Sequence, residues 1–188
     1  MLDRAVQLTS RCGLHGLTIG QLAAAVGLSK GGVCAHFKTK EELQLAVVER
    51  AAQTFSQAAI QPALSHRAGL ARLQALAEAW FRYLQSGVFE GGCFFSNVLL
   101  ELDDLPDSPL LMAVRLPYRH YLSYLQRQTE IAQQQGELDA QLNAAHFVQE
   151  FHANQLSALS FRALGLAEIG LQGAQQNTRA LLTRHRTN

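Results

Sequence analysis

The residues best suited to a specific chemistry lie between Leu17 and Leu45, where capping residues and a glycine interrupt regularly spaced apolar side chains. Thr18 is a good N-cap for a helix. The apolar residues after it recur at i, i+3, i+4 and i+7, the spacing of one buried helical face: Ile19, Leu22, Ala23 and Val26. Gly27 then breaks the pattern, and Ser29 can cap a second helix. Helix, glycine turn and capped helix predict a helix-turn-helix, a motif that places its second helix in the major groove of DNA.

Helices on either side of this pair are predicted to hold it in place. Before it, a helical stripe ends at the turn between Gly13 and Gly16: Ala5, Val6, Thr9 and Cys12. After it, Thr39 and Glu42 have the spacing of a capping box. The helix that this box opens keeps one apolar phase: Leu43, Ala46, Val47 and Ala51. Three helices are therefore expected to share one small core, to which Val33 and Phe37 also belong.

The rest of the chain is predicted to be helical as well, because Ala, Leu and Gln are abundant and alternating β-branched runs are few. Apolar periodicity and turn signals predict longer helical segments: 70–84, 93–102, 110–135, 139–164 and 168–184. Asp103 to Pro106 would end the second of these, and Pro117 would kink the third or mark an irregular start within it. The predicted fold class is all-α.

Composition narrows the class of protein. With 48% hydrophobic and 16% charged residues, the chain is typical of globular proteins. It has no apolar run near the ~20 residues of a membrane span, so no membrane partner is expected. Three cysteines do not suggest a secreted disulfide framework, and a cytoplasmic location is expected. Residues 1–50 carry six Lys and Arg against four Asp and Glu, whereas residues 51–188 carry ten against eleven, so the small basic surplus falls in the segment with the motif.

Three stretches resemble the DNA-binding domain of TetR-type transcriptional repressors: Leu17-Thr18-Ile19, Ala23 to Gly31 and His36 to Leu43. The resemblance implies a three-helix DNA-binding domain over residues 1–50 and a larger helical domain over residues 51–188 that binds a small molecule. It also implies a homodimer made by the last two long helices, residues 139–184. The two long helices of each subunit would form a four-helix bundle, in which the small side chains of Gly170 and Ala174 would let two helices approach closely.

The same resemblance assigns residues to the DNA contact. Thr18 and Lys40 would each bind a phosphate, and the other candidates lie on or beside the recognition helix: Ser29, Lys30, Gly31, Gly32, Val33, His36 and Lys38. Two positions depart from the family's usual pattern. Gly32 stands where threonine or alanine is frequent, and Cys34 stands where an aromatic residue, commonly tyrosine, would reach the DNA. The recognition helix is thus short of base-reading side chains, and either weak specificity or a contribution from DNA shape is expected.

An effector pocket is predicted in the second domain from aromatic and polar side chains: Trp80, Phe81, Phe94, Asn97, Glu101, Tyr118, Tyr121 and His152. The ligand would be small and largely apolar, would lie between Trp80 and Phe151, and would release the DNA. The predicted function is that of a ligand-responsive regulator, expected to be a repressor, that binds a pseudopalindromic operator as a dimer. Neither a cofactor nor a metal site is expected, because the histidines are dispersed without a carboxylate to complete a ligand set.

Other interpretations remain open at the level of sequence. Cys93 precedes a helix, where the dipole favours a thiolate, so a thiol-based redox or electrophile sensor is one alternative. Its apolar neighbours favour an inert, buried thiol instead. An all-helical enzyme is a weaker alternative, since the chain has no nucleotide-binding loop, Ser/His/Asp constellation or facing carboxylate pair. An architectural DNA-binding protein would differ from a regulator by a second domain packed without a cavity.

Overall fold

The computed structural model describes residues 1–102 and 108–187. These residues form nine α-helices and no β-strand: α1 (Leu2–Gly16), α2 (Ile19–Val26), α3 (Lys30–Cys34), α4 (Lys40–Phe55), α5 (Leu70–Gln85), α6 (Phe94–Glu101), α7 (Pro109–Gln134), α8 (Ala144–Ala163) and α9 (Ala167–Arg184). A π-helical turn, Ser56–Ile60, and a 3-10 turn, Gln61–Ala63, follow α4. The all-α prediction is confirmed. The predicted helix end at Asp103 to Pro106 lies outside the described residues.

The chain divides into two compact units, and each unit combines two segments that are separate in the sequence. Unit 1 comprises Met1–Phe55 and Gly87–Tyr118, and unit 2 comprises Ser56–Ser86 and Arg119–Asn188. The segment that contains α6 therefore belongs to the same unit as the helix-turn-helix. Among the described residues, none of the helices combines the length and apolar character that a bilayer crossing requires.

The core of unit 1 is built on the apolar faces of its first four helices. Ala5, Val6 and Thr9 of α1 are buried as the stripe predicts, but Cys12 is exposed. The buried face of α1 also includes Ser10, which places its centre about a quarter of a turn from Cys12. Gly13 then interrupts the helix with φ 75° and ψ 172°, and Leu14 after it is buried. The predicted stripe of α4 is buried at three of its four positions, Leu43, Val47 and Ala51.

The core of unit 2 includes α5, α8 and α9. Helices α8 and α9 form its closest pair, and a Cβ atom at Gly170 of α9 would overlap the Cβ atom of Phe161 in α8. Gly170 and Ala174 are buried, so they serve packing within the chain. Gly170 thus allows the close approach of two helices that its small size predicts, and the two helices are α8 and α9 of one chain. Helix α8 also begins later than predicted, because Asn143 caps it by accepting the His146 N–H at 3.0 Å.

Candidate DNA-binding and effector sites

Short-range hydrogen bonds fix the ends of α2 and α3. The Thr18 hydroxyl accepts the Gln21 N–H at 3.1 Å, and the Gln21 side-chain oxygen accepts the Thr18 N–H at 3.1 Å, which makes a capping box. Gly27 ends α2 in the left-handed conformation, with φ 69° and ψ 27°. Ser29 caps α3 by accepting the Gly32 N–H at 3.0 Å. The two helices and the turn between them thus form the predicted helix-turn-helix.

Helix α3 buries one side and exposes the other. Val33 is fully buried and Phe37 is 9% exposed, so both belong to the core. Val33 thus supports α3 from beneath, which corrects its place among the predicted DNA contacts. The remaining DNA-binding candidates lie at or near the surface, Gly32 being half-buried and the others exposed: Thr18, Ser29, Lys30, Gly31, Gly32, His36, Lys38 and Lys40.

The cationic side chains beside α3 are positioned by the neighbouring helices. A Cβ atom at Gly20 of α2 would lie 3.1 Å from the Lys30 Cε atom, so the stem of Lys30 crosses α2 where there is no side chain. The Lys40 ammonium donates to the backbone oxygen of His15 at 2.7 Å. At the start of α4, the Glu42 carboxylate accepts the Lys38 N–H at 2.7 Å. In a complete capping box it would accept the Thr39 N–H instead.

A carboxylate from α6 completes the broken end of α1. Because Gly13 is not helical, the N–H groups that follow it lack the usual acceptors within the helix. The Glu101 carboxylate accepts the Leu14 N–H at 2.8 Å and the His15 N–H at 2.5 Å. The ring of His15 also lies 3.1 Å from the same carboxylate. Glu101 therefore ties α6 to α1 across more than 80 positions, a contact that local sequence patterns do not predict.

The residues before α6 add to this contact within unit 1. The Gln7 amide donates to the Val88 oxygen at 2.8 Å and accepts the Glu90 N–H at 2.9 Å. The Gly91 N–H donates to the Ser10 hydroxyl at 3.1 Å. A Cβ atom at Gly91 would overlap the Ser10 carbonyl oxygen, so the two backbones approach as closely as a glycine permits.

The predicted effector residues are distributed over both units. Phe94, Asn97, Glu101 and Tyr118 belong to unit 1, whereas Trp80, Phe81, Tyr121 and His152 belong to unit 2.

Several of these residues have partners within their own unit. The Asn97 amide donates to the Gly91 oxygen at 3.0 Å, and the Tyr118 hydroxyl lies 3.2 Å from the Ser96 hydroxyl. The Tyr121 hydroxyl accepts from Gln155 at 2.7 Å.

Burial also affects the one predicted effector residue that titrates near neutral pH. Burial lowers the pKa of His152 below its usual value of 6.5, although a hydrogen bond with Gln155 acts in the opposite direction. His152 is therefore neutral at pH 7, which suits an apolar setting.

Unit 2 contains a cleft of about 380 Å³ between α5 and α9. Phe81 lines it, and the other seven predicted effector residues do not. The remaining lining is Gln74, Ala77, Glu78, Gln175, Thr178, Arg179, Leu182 and Thr183. The lining positions of each helix are spaced three or four residues apart, so they lie on one face of that helix. This spacing is present in the sequence, but it does not indicate a cleft unless the two helices are known to be neighbours.

Comparison with known proteins agrees with both parts of this architecture. Residues 1–47 match the family of bacterial regulatory proteins of the tetR type, and residues 69–176 match the tetracyclin repressor-like C-terminal domain. The chain belongs to the TetR family. As a TetR-family transcriptional regulator, it combines a DNA-binding helix-turn-helix with a ligand-binding C-terminal domain, an architecture of transcription factors rather than of enzymes.

Solved structures share the TetR fold along the whole chain. A TetR transcriptional regulator from Chloroflexus aurantiacus J-10-FL is 24% identical, with a TM-score of 0.89 over 100% of this chain and 94% of that chain. A TetR-family regulator from Cytophaga hutchinsonii is 17% identical, with a TM-score of 0.86 over 100% and 93%. AibR, solved with isovaleryl coenzyme A and operator DNA, is 19% identical, with a TM-score of 0.69 over 85% and 83%. No curated protein matches the chain by sequence.

The predicted dimer segment of this TetR-family chain exposes large apolar side chains. Leu156 is 43% exposed, Leu164 70% and Ile169 61%. These residues lie in and between α8 and α9 and are distinct from the buried Gly170 and Ala174.

The thiol that could act as a sensor is not at the surface. Cys93 is 0% exposed at the N-cap of α6, whereas the other two cysteines are exposed. A redox or electrophile reaction at Cys93 would require unit 1 to open, and the burial favours the inert interpretation. Within the described ranges, no group of His, Cys, Asp and Glu side chains is arranged to hold a metal ion.

Proposed function

We propose that this TetR-family chain is a repressor that binds a pseudopalindromic operator as a homodimer and leaves it when a small, largely apolar effector binds. The observation that carries the proposal is the exposed surface of α3, a capped helix that begins at Lys30 and is followed by His36, Lys38 and Lys40, all of them exposed. Such a helix fits the major groove, and the cations around it suit the phosphates on either side.

The proposed contacts divide into base readout and phosphate binding. Lys30 and His36 would reach base edges, since lysine pairs well with the acceptors of guanine. Thr18 and Ser29 lie at helix N-termini, where hydroxyl and backbone donors favour phosphate, and Lys40 would bind a second phosphate. Gly31 and Gly32 would allow the backbone of α3 to come close to the DNA.

The proposed dimer uses residues 139–184 through the exposed apolar side chains of α8 and α9. Leu156, Leu164 and Ile169 would be covered by the same residues of the second copy in an isologous interface. An obligate interface of this kind buries upward of ~2,000 Å² in total. Two recognition helices would then reach half-sites about one helical turn, ~34 Å, apart.

The proposed effector site lies near Trp80 and Phe151, both fully buried in unit 2. AibR supports a link between a small ligand and operator binding in this fold, because it is solved with both. In this chain the α1 to α6 contact offers a path to the DNA-binding helices, since a shift of α6 would pull on Leu14 and His15 through Glu101. Operator DNA should then weaken effector binding by the same factor by which the effector weakens DNA binding.

Selection from a random-sequence duplex library with the full-length protein tests the DNA-binding part of the proposal. We expect the retained duplexes to share an inverted repeat, and light scattering to give a dimer at micromolar concentration. The Lys30→Ala variant should lose affinity for the selected duplex, whereas Arg127→Ala, the same loss of charge at an exposed position of α7, should retain it. Duplexes without a repeat, together with a monomer, would contradict the proposal.

A further inference from the structure

The cleft between α5 and α9 presents one negative and one positive group to the same space. Glu78 lines it from α5 and Arg179 lines it from α9, and both side chains are exposed. Across the residues that the structure describes, neither charged group forms an ion pair within 4.0 Å or a side-chain hydrogen bond. The cleft therefore offers two opposite charges that do not neutralise each other.

A buried hydroxyl in the same cleft also lacks a partner. Thr178 is 1% exposed, and its Oγ1 atom has no hydrogen bond among the described residues. Among the described helical threonines, Thr9 of α1 also lacks a partner. Three others donate to the carbonyl four residues earlier: Thr54, Thr129 and Thr183. A buried hydroxyl without a partner is destabilising, so a ligand that hydrogen-bonds to it would offset that cost.

Two other buried polar groups lack partners in the described chain, Thr9 Oγ1 and Trp80 Nε1. Neither residue lines this cleft, whereas Thr178 does. The hydroxyl of Thr178 thus coincides with a cavity and with the two charges, a combination that points to a ligand.

Three apolar side chains also line the cleft, besides the polar Gln74, Gln175 and Thr183. Phe81 is 4% exposed and Leu182 is 5% exposed, and Ala77 lies between the polar positions of α5. The volume of about 380 Å³ lies within the range of small-molecule sites. An occupant must therefore pair with a carboxylate at one point and a guanidinium at another, and must pack an apolar part between them.

We propose that this cleft binds a small zwitterion, with its ammonium group on Glu78, its carboxylate on Arg179 and its apolar middle on Phe81 and Leu182. Thr178 supplies a hydrogen bond to the ligand's carboxylate. Arginine suits a carboxylate because its planar donors match the two oxygens. This site is additional to the apolar effector site near Trp80 and Phe151, and it does not rest on the proposed function.

The cleft would remain open in the proposed dimer. Four of its five positions on α9 follow one face of the helix: 175, 178, 179 and 182. The fifth, Thr183, lies at the edge of that face. Ile169, Gln176 and Ala180 are exposed on a different face, about a third of a turn away at 3.6 residues per turn. A partner subunit that covers Ile169 thus leaves the cleft accessible.

Calorimetric titration of the full-length protein with straight-chain ω-amino acids, from γ-aminobutanoate to ω-aminooctanoate, tests the proposal. The controls are the alkanoates and alkylamines of the same lengths. We expect at least one amino acid to bind about tenfold more tightly than either singly charged control, since each charge adds an ion pair in a partly enclosed site. Equal or undetectable binding by every member of the series would overturn the proposal.

Variants separate the two charges. Glu78→Gln should remove only the preference for the amino acid over the alkanoate. Arg179→Gln should remove only the preference for the amino acid over the alkylamine. Arg127→Gln, which lies outside the cleft, should leave the affinities unchanged. Loss of both preferences by Arg127→Gln, or of neither by the two cleft variants, would overturn the assignment.

Thr178→Val tests the buried hydroxyl, because valine has the same shape and no polar atom. We expect weaker binding of the amino acid together with an unchanged or higher melting temperature, since the variant no longer buries an unpaired hydroxyl. Unchanged affinity would overturn the role of Thr178. These titrations contain no DNA, so their outcome is independent of whether the chain represses a promoter.

Discussion

The helix-turn-helix and the contact between α1 and the 87–101 segment lie in the same compact unit but are held together in opposite ways. The caps of the helix-turn-helix join residues three positions apart, as between Thr18 and Gln21 or Ser29 and Gly32. The contact of α1 joins residues 81 to 87 positions apart, as between Gln7 and Val88 or Leu14 and Glu101.

The glycines of the two regions differ in the same way. Gly27 has nothing within 4 Å of its absent Cβ, and Gly32 has only ordinary contacts, at 3.5 Å or more. Gly91 instead has no room for a Cβ, because the backbone of Ser10 occupies that space. The DNA-binding surface is thus locally encoded and tolerant, whereas the contact behind it depends on a fit between distant segments.

The largest effect on stability should come from adding a Cβ atom at Gly91, where the backbone of Ser10 leaves no room for it. Gly91→Ala forces α1 and the segment before α6 apart, and we expect the free energy of unfolding to fall by about 3 kcal/mol or more. Urea denaturation followed by circular dichroism measures this. Gly31→Ala is the control, since its added Cβ meets only the Ser29 Oγ atom at 3.8 Å and should leave stability unchanged or raised. Equal midpoints for the two variants would show that the approach at Gly91 is not a constraint.

Removing the carboxylate that joins α6 to α1 should have the next largest effect. Glu101→Ala leaves the N–H groups of Leu14 and His15 without their acceptor, and we expect a loss of about 2 kcal/mol. Glu101→Gln keeps one acceptor oxygen and should recover part of the loss. Glu41→Ala, an exposed carboxylate of α4, serves as the control in the same denaturation series. A loss no greater than that of Glu41→Ala would refute the link.

A smaller loss is expected when a local cap is removed. Thr18→Ala deletes the acceptor of the Gln21 N–H and should cost about 1 kcal/mol. Thr18→Ser retains the hydroxyl and should be nearly neutral. A loss as large as that of Glu101→Ala would contradict the view that the helix-turn-helix depends on weak, additive local bonds. Hydrogen exchange at the amides of α2 would locate the effect.

The smallest effect, and the one of opposite sign, should appear at Gly32. Gly32→Ala adds a Cβ with only ordinary contacts, so it should stabilise α3 by about 0.5–1 kcal/mol. Gly27→Ala also meets empty space but must adopt φ 69°, so it should destabilise by a comparable amount. Thermal melts of the pair decide this prediction. Changes of the same sign in both variants would show that the backbone conformation does not control the outcome.

The contrast between the two regions also explains how far the sequence could be interpreted. Capping residues and a left-handed glycine act over three to five positions, so they predicted α2, the turn and α3 before any fold was known. The acceptor that completes α1 after Gly13 could not be predicted, because the Leu14 N–H and Glu101 lie 87 positions apart. Glu101 was expected near a ligand for the same reason, since its partners are distant in sequence.

The second unit shows the same limit. The small size of Gly170 predicts a close approach of two helices, but the sequence does not show that its neighbour is Phe161 of α8. The sequence contains the polar positions of α5 and α9, but nothing in it shows that the two helices are neighbours. Phe81 alone of the predicted effector residues lines the cleft between them.

The central claim is that the exposed surface beside α3 binds DNA, and one titration tests it most directly. Fluorescence anisotropy of the duplex obtained by selection is measured against the wild type and against a variant with Lys30→Ala, His36→Ala and Lys40→Ala combined, over a range of salt concentrations. We expect the variant to lose at least about a hundredfold in affinity and its salt slope to fall by about one for the phosphate contact of Lys40. Wild-type affinity and an unchanged salt slope in the triple variant would contradict the account.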